Sequence, residues 1–144
     1  MEKSEFYSDA RDDLTGPLAG VRVVEATTTW AGPMAGCMLA DFGATVIKVE
    51  HPLGEVMRKL PPALPDSHLF LAHEMVNRNK QNISLDLHKP EGVEIFLKLA
   101  ATADIVVENF RPGTMTSWGV GYDAVKALNP KVVYVSISGY GQFG

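Results

Sequence analysis

Between Val21 and Glu50 a short β-branched segment, VRVVEAT, is followed by AGPMAGCMLADFG and then by a second such segment, ATVIKVE. Two strands separated by one helix's length of chain cannot close a tight hairpin. They form a parallel pair with a right-handed crossover. The intervening segment carries Ala35, Met38, Leu39 and Phe42 at helical spacing, with Pro33 suited to a first helical position and Gly43 to the stop.

The alternation continues. HPLGEVMRKLPPALPDSH is irregular, because its three prolines between Pro61 and Pro65 exclude a regular helix there. LFLAHEMVN reads as a short helix and QNISLDL as a strand. Lys89-Pro90-Glu91 opens a helix with an apolar face of Val93, Phe96, Leu97 and Ala100. DIVVENF is a nearly all-apolar strand, as in a sheet covered on both faces. YDAVKALN is a short helix and KVVYVSISGYG a last strand. The expected class is α/β, with a Rossmann-like, mainly parallel sheet and flanking helices. Residues 1–16 are polar and charged and read as a mobile arm or a strap on a partner subunit, with 17–144 as the folded part. The chain stops at SGYGQFG without a helix after its last strand, so we expect the N-terminal part of a larger fold, with sheet edges and apolar faces left uncovered.

The net charge of −4, with no Lys/Arg-rich stripe, argues against nucleic acid as a partner. No apolar run approaches a membrane span. One cysteine, Cys37, excludes an internal disulfide; with no signal-peptide pattern this fits a reducing cytoplasm, and its place in a helix predicts a buried, inert thiol.

Parallel sheets hold ligands at the carboxyl ends of their strands. The first such turn, TTTWAGPMAG, lacks the G-x-G-x-x-G of a dinucleotide site, although Glu50 after the second strand would suit a ribose hydroxyl. Trp30 in that turn suits either a core cap or a ligand contact. Asn77-Arg78-Asn79-Lys80 reads as a solvated loop or as phosphate recognition, with Arg a fork and Lys a point charge. His51, His68, His73 and His88 match no zinc spacing, and neither a G-x-S-x-G elbow nor a hydrolytic carboxylate pair is present. The fourth strand runs into Glu108-Asn109-Phe110 and then Arg111-Pro112-Gly113, with Trp118-Gly119 beyond, more polar and aromatic chemistry than a plain turn needs.

Three blocks, PLAGVRVVEATTTWAGPMAGCMLADFGATVIKVEHPLGE, NRNKQNISLDLHKPEG and ADIVVENFRPGTMTSWGVGYDAVKALNPKVVYVSISGYGQFG, together resemble the class III CoA-transferases over Pro17 to Gly144. That family includes formyl-CoA transferase and carnitine CoA-transferase, with α-methylacyl-CoA racemase as a relative. The resemblance implies CoA transfer from an acyl-CoA thioester to a carboxylic acid, in a homodimer whose subunits thread through each other as linked rings. It implies CoA contacts at Trp30 and Ala31, at Leu85, Asp86, Leu87 and His88, at Asn109, Phe110 and Arg111, and at His51, where many members carry Arg. Ser117 likewise stands at a family basic position, and Trp30 where some members have Gln. The implied nucleophile is an aspartate that forms a mixed anhydride and then an aspartyl-CoA thioester. It lies beyond the SGYGQ block, so no residue here is assigned as catalytic, and no metal or redox cofactor is implied. A racemase-type enzyme and a non-catalytic CoA-binding or structural subunit stay open beside this reading, as does a dinucleotide-binding domain.

Overall fold

A computed structural model of the chain describes residues 15–63 and 69–143; most of the expected N-terminal arm, with His68 and Pro65, lies outside them. Five strands form one sheet: β1 (Arg22–Ala26), β2 (Thr45–Glu50), β3 (Gln81–Ser84), β4 (Ile105–Glu108) and β5 (Val133–Ser136). Every neighbouring pair is parallel and the order is β3-β2-β1-β4-β5. Strand order therefore reverses between β1 and β4. The helices are α1 (Ala31–Asp41), α2 (Leu71–Asn77), α3 (Pro90–Ala100), α4 (Thr114–Ser117) and α5 (Tyr122–Leu128), with a 3-10 turn at Val56–Lys59. The α/β class and the parallel sheet expected from the sequence are both present.

Side chains alternate across the strands, and the two faces of the sheet are covered differently. Val24, Ala26, Val49 and Val106 pack with Phe96, Ala100, Met115, Val120 and Val125 in the larger core cluster. Val23, Val46 and Val107 pack with Ala40 and Ala44 on the α1 face. The same parity puts Glu25 and Lys48 on that α1 face. They are Cα partners in the β1–β2 register, both fully buried, with Lys48 Nζ 3.3 Å from Glu25 Oε1.

That buried charge explains a departure from the expected helix stripe. In α1 the buried residues are Gly32, Pro33, Gly36, Cys37 and Ala40, while Met38 and Phe42 are half exposed. The helix thus faces the sheet with its small residues. A Cβ at Gly36 would collide with Glu25 Oε2 and one at Gly32 with Thr27 and the Asn109 carboxamide, so both positions need glycine for close approach. The helix also begins two residues before Pro33, which still falls in the first turn, where a missing N–H costs nothing. β3 ends at Ser84, so Leu85 to His88 form the loop before α3 rather than the end of a strand.

Candidate functional site

The carboxyl ends of β1, β2 and β4 open on one side of the sheet, and two cavities lie there, sharing Phe110. The first, of about 200 Å³, is lined by Ala26 and Val49 at the strand ends, Leu85 and Leu87 from the loop before α3, and the rings of His51, His88, Phe110 and Trp118. The second, of about 370 Å³, is lined by Ala31, Asn109, Phe110, Arg111, Pro112 and the segment Ile137–Gly139 after β5. A space of about 200 Å³ is below the ~300–1,000 Å³ that encloses a drug-sized ligand. It suits one flat ring or a short apolar tail.

The rings are packed edge to face. Phe110 and Trp118 have centroids 5.0 Å apart at 72°, and His88 and Trp118 4.7 Å apart at 61°. Asp86 ties the polar rim together: its Oδ1 accepts from the His88 N–H at 3.0 Å, lies 2.9 Å from His88 Nδ1 and 3.7 Å from His51 Nε2. The His88 backbone N–H and ring hold the Asp86 carboxyl below its ordinary range. These three side chains bring ligand atoms within 4.8 Å of one another, the one set among the described residues that could hold a metal ion, and one that histidine spacing alone did not disclose. Arg111 is exposed beside the second cavity and forms no ion pair among the described residues, which leaves its guanidinium available to an anion.

Of the residues the sequence singled out, His51, Leu85, Leu87, His88 and Phe110 line the first cavity, and Ala31, Asn109, Phe110 and Arg111 the second. Asp86 works through the two histidines. Trp30 lines neither cavity; it caps α1 and is 46% exposed. The Asn109 carboxamide is spent on the protein: its Oδ1 accepts from the Thr28 N–H and its Nδ2 donates to the Thr28 carbonyl, each at 2.8 Å. Trp118 completes the aromatic wall, and its pairing with Gly119, at φ +78, was its only signal in sequence.

Other sequence candidates resolve as architecture. Arg78 and Asn79 both bond Asp41, lowering its carboxyl. Lys80 is buried, donating to Glu25 and to the Pro33 carbonyl at 2.7 Å, and burial pulls its ammonium pKa down against the pull of Glu25. The Asn-Arg-Asn-Lys run therefore has no free cation for phosphate. Glu50 accepts from Arg58 Nε at 2.5 Å and Nη2 at 2.9 Å, from Asn82 at 2.8 Å and from the Glu55 N–H at 2.9 Å. Burial raises its carboxyl, but these donors outweigh burial and bring it to about 2. With four donors on two oxygens, Glu50 is not open to a ribose. Cys37 is buried as expected, its thiol pushed up by burial and by Asp41.

The family model of CoA-transferase family III matches residues 18–144. The chain belongs to this family. It is 43% identical over 133 residues to the succinyl-CoA–L-malate CoA-transferase beta subunit of Chloroflexus aurantiacus, a match covering 90% of this chain and 32% of the relative. It is 43% identical to the mouse (Mus musculus) succinyl-CoA:glutarate CoA-transferase, covering 92% of this chain and 30% of that one. A crystal structure of a CAIB/BAIF family protein from Brucella suis superposes with a TM-score of 0.85 at 39% identity, over 91% of this chain and 35% of that one. The chain spans about a third of the length of the curated relatives it matches.

Proposed function

We propose that this chain supplies the acyl-CoA-binding crevice of an enzyme that moves CoA from a thioester donor to a carboxylic acid. The observation that carries this reading is the pair of cavities divided by Phe110, in a family whose relatives are named for CoA transfer between acids. The apolar cavity, walled by Phe110, Trp118 and His88, takes the adenine ring by stacking. His51, His88 and Arg111 face the phosphates, and the loop from Asn109 to Arg111 guides the pantetheine arm past β4.

The chemistry is acyl substitution at a carboxylate. An aspartate outside these 144 residues attacks the thioester carbonyl, the C–S bond breaks and CoA leaves as thiolate. The thiolate attacks the aspartyl carbonyl of the anhydride, releasing the donor acid. The acceptor carboxylate then attacks the aspartyl thioester, and the thiolate finally takes the acceptor's acyl group, freeing the aspartate. No electrons are exchanged, so no redox cofactor is required. The carboxylates nearest the crevice are already engaged: Glu108 accepts the Phe110 N–H at 2.8 Å and Asp86 holds the histidines. This supports a nucleophile from elsewhere. Relatives named as alpha and beta subunits support an assembly of more than one chain; the homodimer implied by the family resemblance is the form we propose for this protein. Among the described residues no helix is long and apolar enough to cross a membrane.

The test is calorimetric titration of the chain with CoA and with NAD, followed by a transfer assay on the protein isolated from its source, using succinyl-CoA and dicarboxylic acids. CoA binding without NAD binding, together with exchange of CoA between acids, is the expected result. No CoA binding would remove the reading. Wash-in of solvent deuterium at the α-carbon without transfer would replace it with a racemase.

A further inference from the structure

Glu55 is buried and lies outside both cavities, yet its carboxylate touches the turn that shapes them. Its Oε2 accepts from the Thr29 N–H at 3.1 Å. Its Oε1 accepts from Asn77 Nδ2 at 3.2 Å and lies 3.7 Å from both Lys48 Nζ and His73 Nε2. The carboxylate is thus fixed from β2 and α2 while it grips the β1–α1 turn. Thr29 needs gripping: its φ of +62 puts a β-branched residue in the left-handed region, a conformation that persists only where neighbours impose it. On its other side the same turn is held by Asn109 through Thr28. Asn109 is the residue before Phe110, which divides the two cavities, and Thr29 is two residues before Ala31, which lines the second.

We infer that Glu55 is a positioning residue for the acyl-CoA crevice, holding Thr29 in its left-handed turn so that Ala31, Asn109 and Phe110 stand in register across the strand ends. The inference rests on the CoA reading given above and adds to it a residue that touches no substrate. His73 Nε2, buried and without a hydrogen-bond partner, lies 3.7 Å from the same carboxylate.

Three variants of the chain test it, each read by amide exchange at Thr29 and by CoA titration. Glu55→Ala is expected to expose the Thr29 amide to exchange and to weaken CoA about tenfold, the scale of one lost hydrogen bond to a charged group. Glu55→Gln keeps an acceptor oxygen for Thr29 and is expected to stay within about threefold of the parent, a difference below one ordinary hydrogen bond. Adding Thr29→Gly to Glu55→Ala is expected to restore most of the affinity, since glycine takes the left-handed turn unaided; a merely destabilised core would not be rescued this way. A folded Glu55→Ala variant with unchanged CoA affinity overturns the inference, as does a double variant no better than the single one. Should Glu55→Ala fail to fold, Glu55→Gln decides, because loss of CoA affinity in that folded variant shows that the held turn is not what matters. If the parent chain binds no CoA, the crevice reading falls and this role falls with it, while Thr29 exchange still reports whether Glu55 holds the turn.

Discussion

Asn109 and Thr28, 81 residues apart, are joined by a reciprocal pair of hydrogen bonds between one carboxamide and one peptide group. Across the point where strand order reverses, that clasp ties the end of β4 to the end of β1. Asn109 therefore acts on the crevice through the backbone it holds.

Asn109→Ala leaves the half-buried Thr28 N–H and carbonyl without their partner. The expected loss is roughly 1–3 kcal/mol of unfolding free energy, read as a lower urea midpoint at an unchanged slope. A midpoint equal to the parent's would show that water replaces the clasp at no cost.

Trp118→Ala opens the wall of the smaller cavity and removes the edge that packs on Phe110 and His88. On the CoA reading, affinity falls by about 1–3 kcal/mol, the scale of one lost base–aromatic stack. Titration with CoA and with pantetheine separates the causes: a loss confined to CoA places the nucleotide here, and an equal loss for both moves the adenine elsewhere.

Glu25 is the shared counter-ion of two buried lysines, Lys48 at 3.3 Å and Lys80 at 2.8 Å. Glu25→Ala leaves both ammonium groups buried without it, at an expected cost of about 3–5 kcal/mol. Set against the roughly 5–15 kcal/mol that keeps a domain folded, this is a large share, and the variant should melt well below the parent, as followed by circular dichroism. A variant with parental thermal stability would mean that the lysines reach water.

Glu50 titrates at about 2 in the folded chain against an ordinary 4.5. A lowered carboxylate contributes stability that is present above the unfolded value and is lost as pH falls through the folded one. Acid unfolding should therefore steepen between pH 4.5 and about 2. Arg58→Ala removes two of the donors to Glu50, so the acid midpoint should move upward. An acid titration curve identical to the parent's would disconnect Glu50 from acid stability.

Much was legible along the chain because the relevant information is local. β-branched runs, helical spacing and the positions of Pro90 and Gly43 mark elements from a few neighbouring residues. The contiguous blocks around VENFRPG and LDLHKPEG pointed to the loops that line the cavities. The helix stripe of α1 was legible only in part: Leu39 packs against the core on that face, but periodicity reports where apolar residues lie, while packing against a buried ion pair selects small ones. Gly36 and Ala40 face the sheet and Cys37 is buried toward Met75 of α2, while Met38 and Phe42 are half exposed.

The sequence by itself determined the order of elements, the parallel sheet and the strand ends at which a ligand would bind, since a chain alternating such strands and helices has few ways to bury its apolar faces. Only the tertiary structure decided which polar groups are free to meet a ligand. Lys80 and Glu25 are 55 residues apart, Arg78 and Asp41 37 apart, and Thr29 and Glu55 26 apart. Whether a charge faces a partner or a ligand depends on what the fold brings beside it. Burial without a partner is costly, so the fold spends Glu50, Lys80 and Asn109 on itself and leaves His51, His88 and Arg111 exposed beside the cavities.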